Sequence, residues 1–471
     1  MVFVAYKKFG NKEYAYEMKS YWDKKTKQPR HKSKYLGVVL DKDKKIFKKT
    51  LRERFMKDEI ILDFGDTFLL YEFIKKEGFI NLLKTSFGDD VNTIINLIFY
   101  KLCYPSAMRL AEIWQNGNVI KHLCKADLQS QRISELLADI GDELKYRKFF
   151  ENYIPFIRHS SNGLVLDITA MPNQIQIPVS EWGYGDECID KQIKLMAIID
   201  KASSMPLFFR YTPGSISDVS CLEPTIIEMK KFGINDACCV FDAGFYSKNN
   251  IESLQEKKIS FVVRLPAGTV LYRELIDKSG DIENMKYALI YGKRGLFVKK
   301  HKINLFGKKS FAYLILDPER KGRETKKLIL KAGEEDGVEK IKNFILRKKG
   351  FMILLSSIDL SDSDVLTFYY SRYAVEQLFK FSKDDLKLLP LRTHMEESMR
   401  GYLLLIFITL SLFLLLKKRL GKTVSVEESL LQLRNIKAKV YKDEIIIPEV
   451  TKKQRLLFEK FDIIVPKTLG I

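Results

Sequence analysis

Residues 363–383, SDVLTFYYSRYAVEQLFKFSK, carry the pattern from which the rest of the chain is read. Tyr369, Arg372, Glu376 and Lys383 stand at offsets of 3, 7 and 14 from the tyrosine. At about 100° per residue they share an arc of roughly 60° on one continuous helix. One face then presents a phenol, a guanidinium, a carboxylate and an ammonium, while Leu366, Tyr370, Tyr373, Leu378 and Phe381 fall mainly on the other faces and can pack. The plainer reading is an amphipathic helix whose polar stripe meets water.

Two aspartates upstream favour the chemical reading. Asp167 lies in GLVLDITA and Asp242 in CCVFDAGFYS, each inside a short apolar run that reads as a strand. A carboxylate there is costly unless it is paired or bound to a cation. Two strands that each end on an aspartate can bring both carboxylates to one sheet edge, and Gly244 lets the chain turn away after the second. Hard oxygen donors of this kind suit Mg²⁺ or Mn²⁺. Taken alone, each aspartate is more simply read as a helix cap or as satisfied by nearby backbone N–H groups, since strand-end aspartates are common in α/β proteins.

Together these residues resemble the DDE transposases of bacterial insertion sequences, within the "insertion sequence four" superfamily, whose signature Y-x2-R-x3-E-x6-K matches Tyr369, Arg372, Glu376 and Lys383 with every spacer correct. LVLDITA resembles the strand of the family's first aspartate and VFDAGFYS that of its second, and the loop TPGSISD (residues 212–218) resembles its Pro-Gly-polar-Asp turn. The resemblance covers residues 160–420 well and the first 160 loosely. It implies an α/β protein with a ribonuclease-H-like core interrupted by a β-rich insertion, and the 134 positions between Asp242 and Glu376 leave room for one. It implies a metal-dependent enzyme with Asp167, Asp242 and Glu376 as catalytic, metal-holding carboxylates. The cofactor expected is two Mg²⁺ or Mn²⁺ ions, roughly 3.5–4 Å apart. The reaction would be hydrolysis and then transesterification of a phosphodiester, with Arg372, Lys383 and Tyr369 binding DNA. The partners implied are double-stranded DNA at the element's terminal inverted repeats and in the target, and a second copy of the chain. Some relatives hold a flipped base with a tryptophan of the insertion. Here Trp22, Trp114 and Trp182 all lie elsewhere, leaving Tyr272, Tyr287, Tyr291 or Phe297 as aromatic candidates.

Patterning divides the 471 residues into six stretches. Residues 1–60 alternate like strands, as a basic β-hairpin whose link DKKTKQPRHKS forms a cationic tip, and hold 18 Lys/Arg against 8 Asp/Glu. Residues 61–158 carry apolar positions at steps of three and four, as short DNA-binding helices with a possible helix-turn-helix over 106–139. The core's first part spans 159–266, the β-rich insertion 267–357, the core's second part 358–425 and a C-terminal region 426–471. The formal net charge of +20 favours a polyanionic partner, although a Lys-rich coding bias produces the same excess.

Six cysteines without a C-x-x-C pair and five scattered histidines argue against a zinc module. With no secretory signal at the N-terminus, they fit a bacterial or archaeal cytoplasm, at the nucleoid. YLLLIFITLSLFLLL, residues 402–416, is 15 residues long. That is short of the roughly 20 that span a bilayer, so it reads as a buried core helix and no membrane is expected. Three alternatives stay open: a non-catalytic DNA-binding protein from a decayed element, another ribonuclease-H-like nuclease, and a membrane-anchored protein.

Overall fold

The computed structural model describes residues 2–9, 12–23, 28–48, 60–158, 163–184, 189–216, 218–234, 238–334, 343–389, 391–421, 424–441 and 444–470. Outside them lie the tip residues 24–27, Cys188, Ser217 of the TPGSISD loop, and the expected boundaries near 60 and 159.

The basic N-terminal stretch forms a four-stranded antiparallel meander: β1 (Val2–Phe9), β2 (Lys12–Asp23), β3 (Gln28–Asp41) and β4 (Ile46–Lys48). It is thus more than a hairpin. Much of the supposed cationic tip is strand, with Arg30 opposite Tyr21 and Lys32 opposite Lys19. Among its described residues Ala15 is the one buried apolar side chain, and Tyr35 packs its ring on Tyr14 and Tyr16.

A short strand, β5 (Ile60–Asp63), leads into seven helices: α1 (Gly65–Lys76), α2 (Phe79–Phe87), α3 (Val91–Cys103), α4 (Ala111–Asn116), α5 (Ile120–Leu123), α6 (Ser130–Ile140) and α7 (Glu143–Ile157). Asp142 starts α7 by accepting the N–H groups of Leu144 and Lys145, which satisfies donors that the first helical turn leaves free. The possible helix-turn-helix resolves into helices of six, four and eleven residues around the Asn116–Asn118 turn.

The centre is a ten-stranded sheet built from β6 (Leu164–Pro172), β7 (Glu181–Tyr184), β8 (Ile189–Asp200), β9 (Pro206–Pro213), β10 (Cys239–Phe241), β11 (Phe261–Arg264), β12 (Ala288–Tyr291), β13 (Arg294–Leu305), β14 (Lys308–Leu316) and β15 (Phe351–Ser356). Its order is β12-β13-β14-β15-β11-β10-β6-β8-β7, with β9 paired to the same edge of β8 as β7. β6, β8 and β9 are antiparallel, whereas β10 and β11 run parallel to β6. Such parallel neighbours need crossovers. These are α8 (Asp218–Lys231) and α9 (Lys248–Glu256), the latter capped by the Ser247 hydroxyl. The stretch expected as a β-rich insertion continues the same sheet, because β15 pairs with β11 on one side and β14 on the other. Its β13–β14 turn has Phe306 and Gly307 both at positive φ, 52° and 86°, the twist that a two-residue hairpin requires. The same stretch holds α10 (Val270–Asp277), α11 (Pro318–Glu334) and α12 (Asn343–Arg347).

After β15, the segment expected as one continuous helix is two. Ser361 caps α13 (Asp362–Tyr370), and α14 (Tyr373–Asp384) follows. Ser371 donates its hydroxyl to Phe368 O at 2.6 Å, competing with the main-chain ladder, and the Arg372 N–H turns back only three residues to Tyr369 O. α14 packs on β6 and β8, and α13 on β10 and β11.

The long apolar helix α15 (Glu396–Leu420) has 25 residues, so length does not separate it from a membrane span. In the fold, 83% of its most apolar window is buried within the protein, against α3, α6 and β9. α16 (Val426–Arg434), β16 (Lys437–Val440), β17 (Glu444–Ile446), α17 (Lys452–Lys460) and β18 (Thr468–Gly470) complete the chain. A second sheet, β18-β17-β16-β5, joins this C-terminal stretch to the start of the helical region, and Arg434 bonds the fully buried Asp66 at 3.0 Å.

α15 and the end of α6 meet through two glycines. A Cβ on Gly401 would stand 1.8 Å from Leu137 O, and one on Gly141 would stand 1.9 Å from Glu397 O. Helix propensity alone predicts that Gly401→Ala stabilises by about 1 kcal/mol. The clash reverses that sign. We expect a loss of about 2–3 kcal/mol in urea unfolding, as overpacking of a close backbone contact produces.

Candidate active site

The parallel register of β6 and β10 sets two carboxylates side by side. Cys239 pairs with Leu164 and Val240 with Val165, so continuing the register brings Asp242 level with Asp167. Asp242 directly follows β10 and precedes the short 3₁₀ turn Ala243–Phe245, as expected of a strand-ending aspartate. Asp167 departs from expectation. It is the fourth of nine residues in β6, because β6 goes on pairing with β8 as far as Pro172. It therefore sits where the parallel ladder stops, not where the strand stops.

The break between α13 and α14 delivers the third carboxylate and a cation. Arg372 occupies the N-cap position of α14, with Glu376 in that helix's first turn. The Arg372 guanidinium contacts all three acids: Asp167 at 2.9 Å, Glu376 at 2.7 Å and Asp242 at 3.6 Å. Asp167 and Arg372 are about equally enclosed, at 14% and 16% side-chain exposure, while Glu376 at 44% faces solvent. Burial pushes the Asp167 carboxyl up to about 6. Arg372 and the Ile168 N–H, which donates to Asp167 at 3.0 Å, pull it down, and Asp242 and Glu376 push it further up.

The other signature residues are anchored rather than free. Tyr369 donates its hydroxyl to Asp242 at 3.3 Å. Its phenol is held above its ordinary pKa, first by burial and then by Asp242. Lys383 reaches back to β6, donating to Thr169 Oγ1 at 2.7 Å and Ala170 O at 2.9 Å. The structure thus brings Asp167, Asp242, Tyr369, Arg372 and Glu376 into one cluster and puts Lys383 two residues further along β6. Sequence reading missed Arg264 and Thr169. Arg264, at the end of β11, brings its positive charge near the Tyr369 phenol and draws that phenol's pKa down against burial and Asp242, and the only sequence signal for it is a base closing the apolar run FVVR. Of the aromatic candidates, Tyr272 is buried with its hydroxyl on Phe351 O, whereas Tyr291 stacks on Tyr370 at 5.3 Å beside the cluster.

Three carboxylates round one positive charge are a donor set for a hard divalent ion. As placed, no three His, Cys, Asp or Glu side chains among the described residues are positioned to hold a metal, since the guanidinium stands between the acids.

Residues 159–412, more than half of the chain, match the family described as transposase DDE domain. The three carboxylates all fall inside that span. Among solved structures, a piggyBac transposase synaptic complex with hairpin DNA, determined by cryo-EM, is similar over 79% of each chain at 11% identity, with a TM-score of 0.43. None of the curated proteins matches.

The raised Asp167 pKa makes stability depend on pH with a definite sign. Below about pH 4 this carboxyl is protonated whether the chain is folded or not. Between about 4 and 6 the unfolded chain holds fewer protons, so this group's contribution to stability falls as pH rises. A shift from 3.8 to about 6 amounts to about 3 kcal/mol. Urea unfolding across pH 4–7 should show that Asp167→Asn gains about this much relative to the wild type as pH rises, in metal-free buffer.

Proposed function

Because the chain belongs to the transposases with a DDE domain, we propose that it cleaves and rejoins DNA at the ends of an insertion sequence, with Asp167, Asp242 and Glu376 as its catalytic carboxylates. The observation that carries this reading is their convergence on the single Arg372 guanidinium. We place the chain in the "insertion sequence four" superfamily on the Tyr369, Arg372, Glu376 and Lys383 spacing. A ribonuclease-H-like core accounts for the strand order β9-β8-β6-β10-β11, with its antiparallel first three strands and parallel last two.

Asp167, Asp242 and Glu376 would hold Mg²⁺ or Mn²⁺, two ions per site. When bound, the metal supplies Lewis acidity toward the attacking water or 3′-hydroxyl and the leaving oxygen. The protein's own residues do the rest. Arg372 keeps the acids together before DNA arrives, then exchanges its carboxylate partners for a backbone phosphate, which its planar fork fits equally well. Lys383 holds β6 beside α14 through Thr169 and Ala170 and adds a point charge toward DNA. Tyr369 fixes the orientation of Asp242, and the Arg264 charge lies near the Tyr369 phenol. The basic N-terminal sheet and the helices after it would bind the inverted repeats, two copies of the chain pairing two ends. Such a protein acts on DNA in a bacterial or archaeal cytoplasm, and α15 serves as core and not as anchor.

Purified protein, a DNA end with the element's inverted repeat, and Mg²⁺ or Mn²⁺ should yield 3′-end cleavage. Glu376→Gln should lower the rate about 100-fold or more while binding the same DNA. Equal cleavage by this variant would falsify the assignment. Arg372→Gln should separate the two duties of the arginine: it should strengthen Mn²⁺ binding, read by calorimetry without DNA, yet weaken cleavage.

A further inference from the structure

A cavity of about 540 Å³ lies at the junction of α3, α6 and the loop between α14 and α15, and none of its lining residues belongs to the carboxylate cluster. Lys101, Arg109, Lys387 and Arg392 line it, and no Asp or Glu does. At its floor is Lys101, 2% exposed. Among the described residues the ammonium donates only to neutral oxygens: Ser106 O at 3.1 Å, Leu386 O at 3.5 Å and the Tyr402 hydroxyl at 3.4 Å. A buried ammonium without a counter-charge is expensive, and burial lowers its pKa to about 8. Thr393 also lines the cavity, and its buried hydroxyl, in a residue 9% exposed, has no hydrogen-bond partner among the described residues. Arg109, Lys387 and Arg392 ring the mouth, exposed and in no ion pair with the described residues. Lys387 feels the charge of Asp385 but does not bond it, and its backbone has a left-handed φ of 52°. The first turn of α6 also borders the cavity through Ser130, and no side chain caps that helix.

We propose that this cavity binds a phosphate group, supplied either by a small free phosphate or by DNA. A phosphate matches the chemistry of the arrangement. Its charge answers Lys101, its oxygens accept from the Thr393 hydroxyl, and its remaining charge meets the three mouth cations. The ligand would also bridge the helical region to the loop that leaves the Glu376 helix, joining segments nearly 300 residues apart.

The test uses the full chain, without any transposition assay, so its result stands apart from the function proposed above. Inorganic phosphate is compared with chloride at equal ionic strength by thermal unfolding and calorimetry. If the source is a free phosphate, phosphate alone raises Tm, Lys101→Met abolishes the rise, and Arg392→Ala weakens binding about tenfold. In phosphate-free buffer Lys101→Met should be at least as stable as the wild type, because it deletes an uncompensated buried charge. If the source is DNA, free phosphate has no effect, but the salt slope of duplex binding falls by about 1 in Arg392→Ala. Arg392 is exposed, so that variant keeps the question open should Lys101→Met fail to fold. An unchanged response to phosphate together with an unchanged salt slope would overturn the proposal.

Discussion

Carboxylates held within a few ångströms of one another repel, and the repulsion grows as water leaves. A fold that gathers three of them from β6, the end of β10 and the start of α14 must supply a cation at the same point. Here it is the Arg372 guanidinium. Much of the local architecture follows from that demand. The helix breaks at Ser371 and Arg372, so the arginine enters at the head of α14 rather than along a straight face. β6 and β10 run parallel in a register that levels the two aspartates, and Tyr369 and Lys383 tie the broken helix back to the strands. An enclosed ion pair contributes little net stability against well-packed apolar groups, but losing one partner is severe. The arrangement is better understood as poise than as glue.

How much of this was legible beforehand depended on the range of the interaction. The strand GLVLDITA and the buried character of residues 402–416 are local facts, written in short apolar runs. The convergence of Tyr369, Arg372 and Glu376 was also legible, since seven residues of near-helical chain keep them neighbours even across the break. The break itself was not. Ser371 is compatible with a helix interior until its hydroxyl bonds Phe368 O and the Arg372 N–H turns back to Tyr369 O. Nor could periodicity say where β15 would pair. Its six buried residues read only as a buried strand, and their place between β11 and β14 merges what looked like an insertion into one sheet.

The same limit explains the misplaced end of β6. An aspartate followed by Ile-Thr-Ala looks like the close of an apolar run, yet β8 is twelve residues long and pairs with β6 as far as Pro172. The strand's extent is set by its partner. The extension matters to the site, because Thr169 and Ala170, the residues that Lys383 grips, lie in it.

The sheet that joins β5 to β16 and β17 has a consequence for how the protein is made. Ile60–Asp63 leaves the ribosome early, but its hydrogen-bonding partner Lys437–Val440 leaves some 375 residues later. Throughout that interval β5 presents an unsatisfied edge, the kind that pairs with whatever strand it meets. At 5–20 residues per second the wait is roughly 20–75 s. The helical region thus cannot close its own boundary until nearly the whole chain has been translated, and a message cut short before that point yields a protein with an open seam.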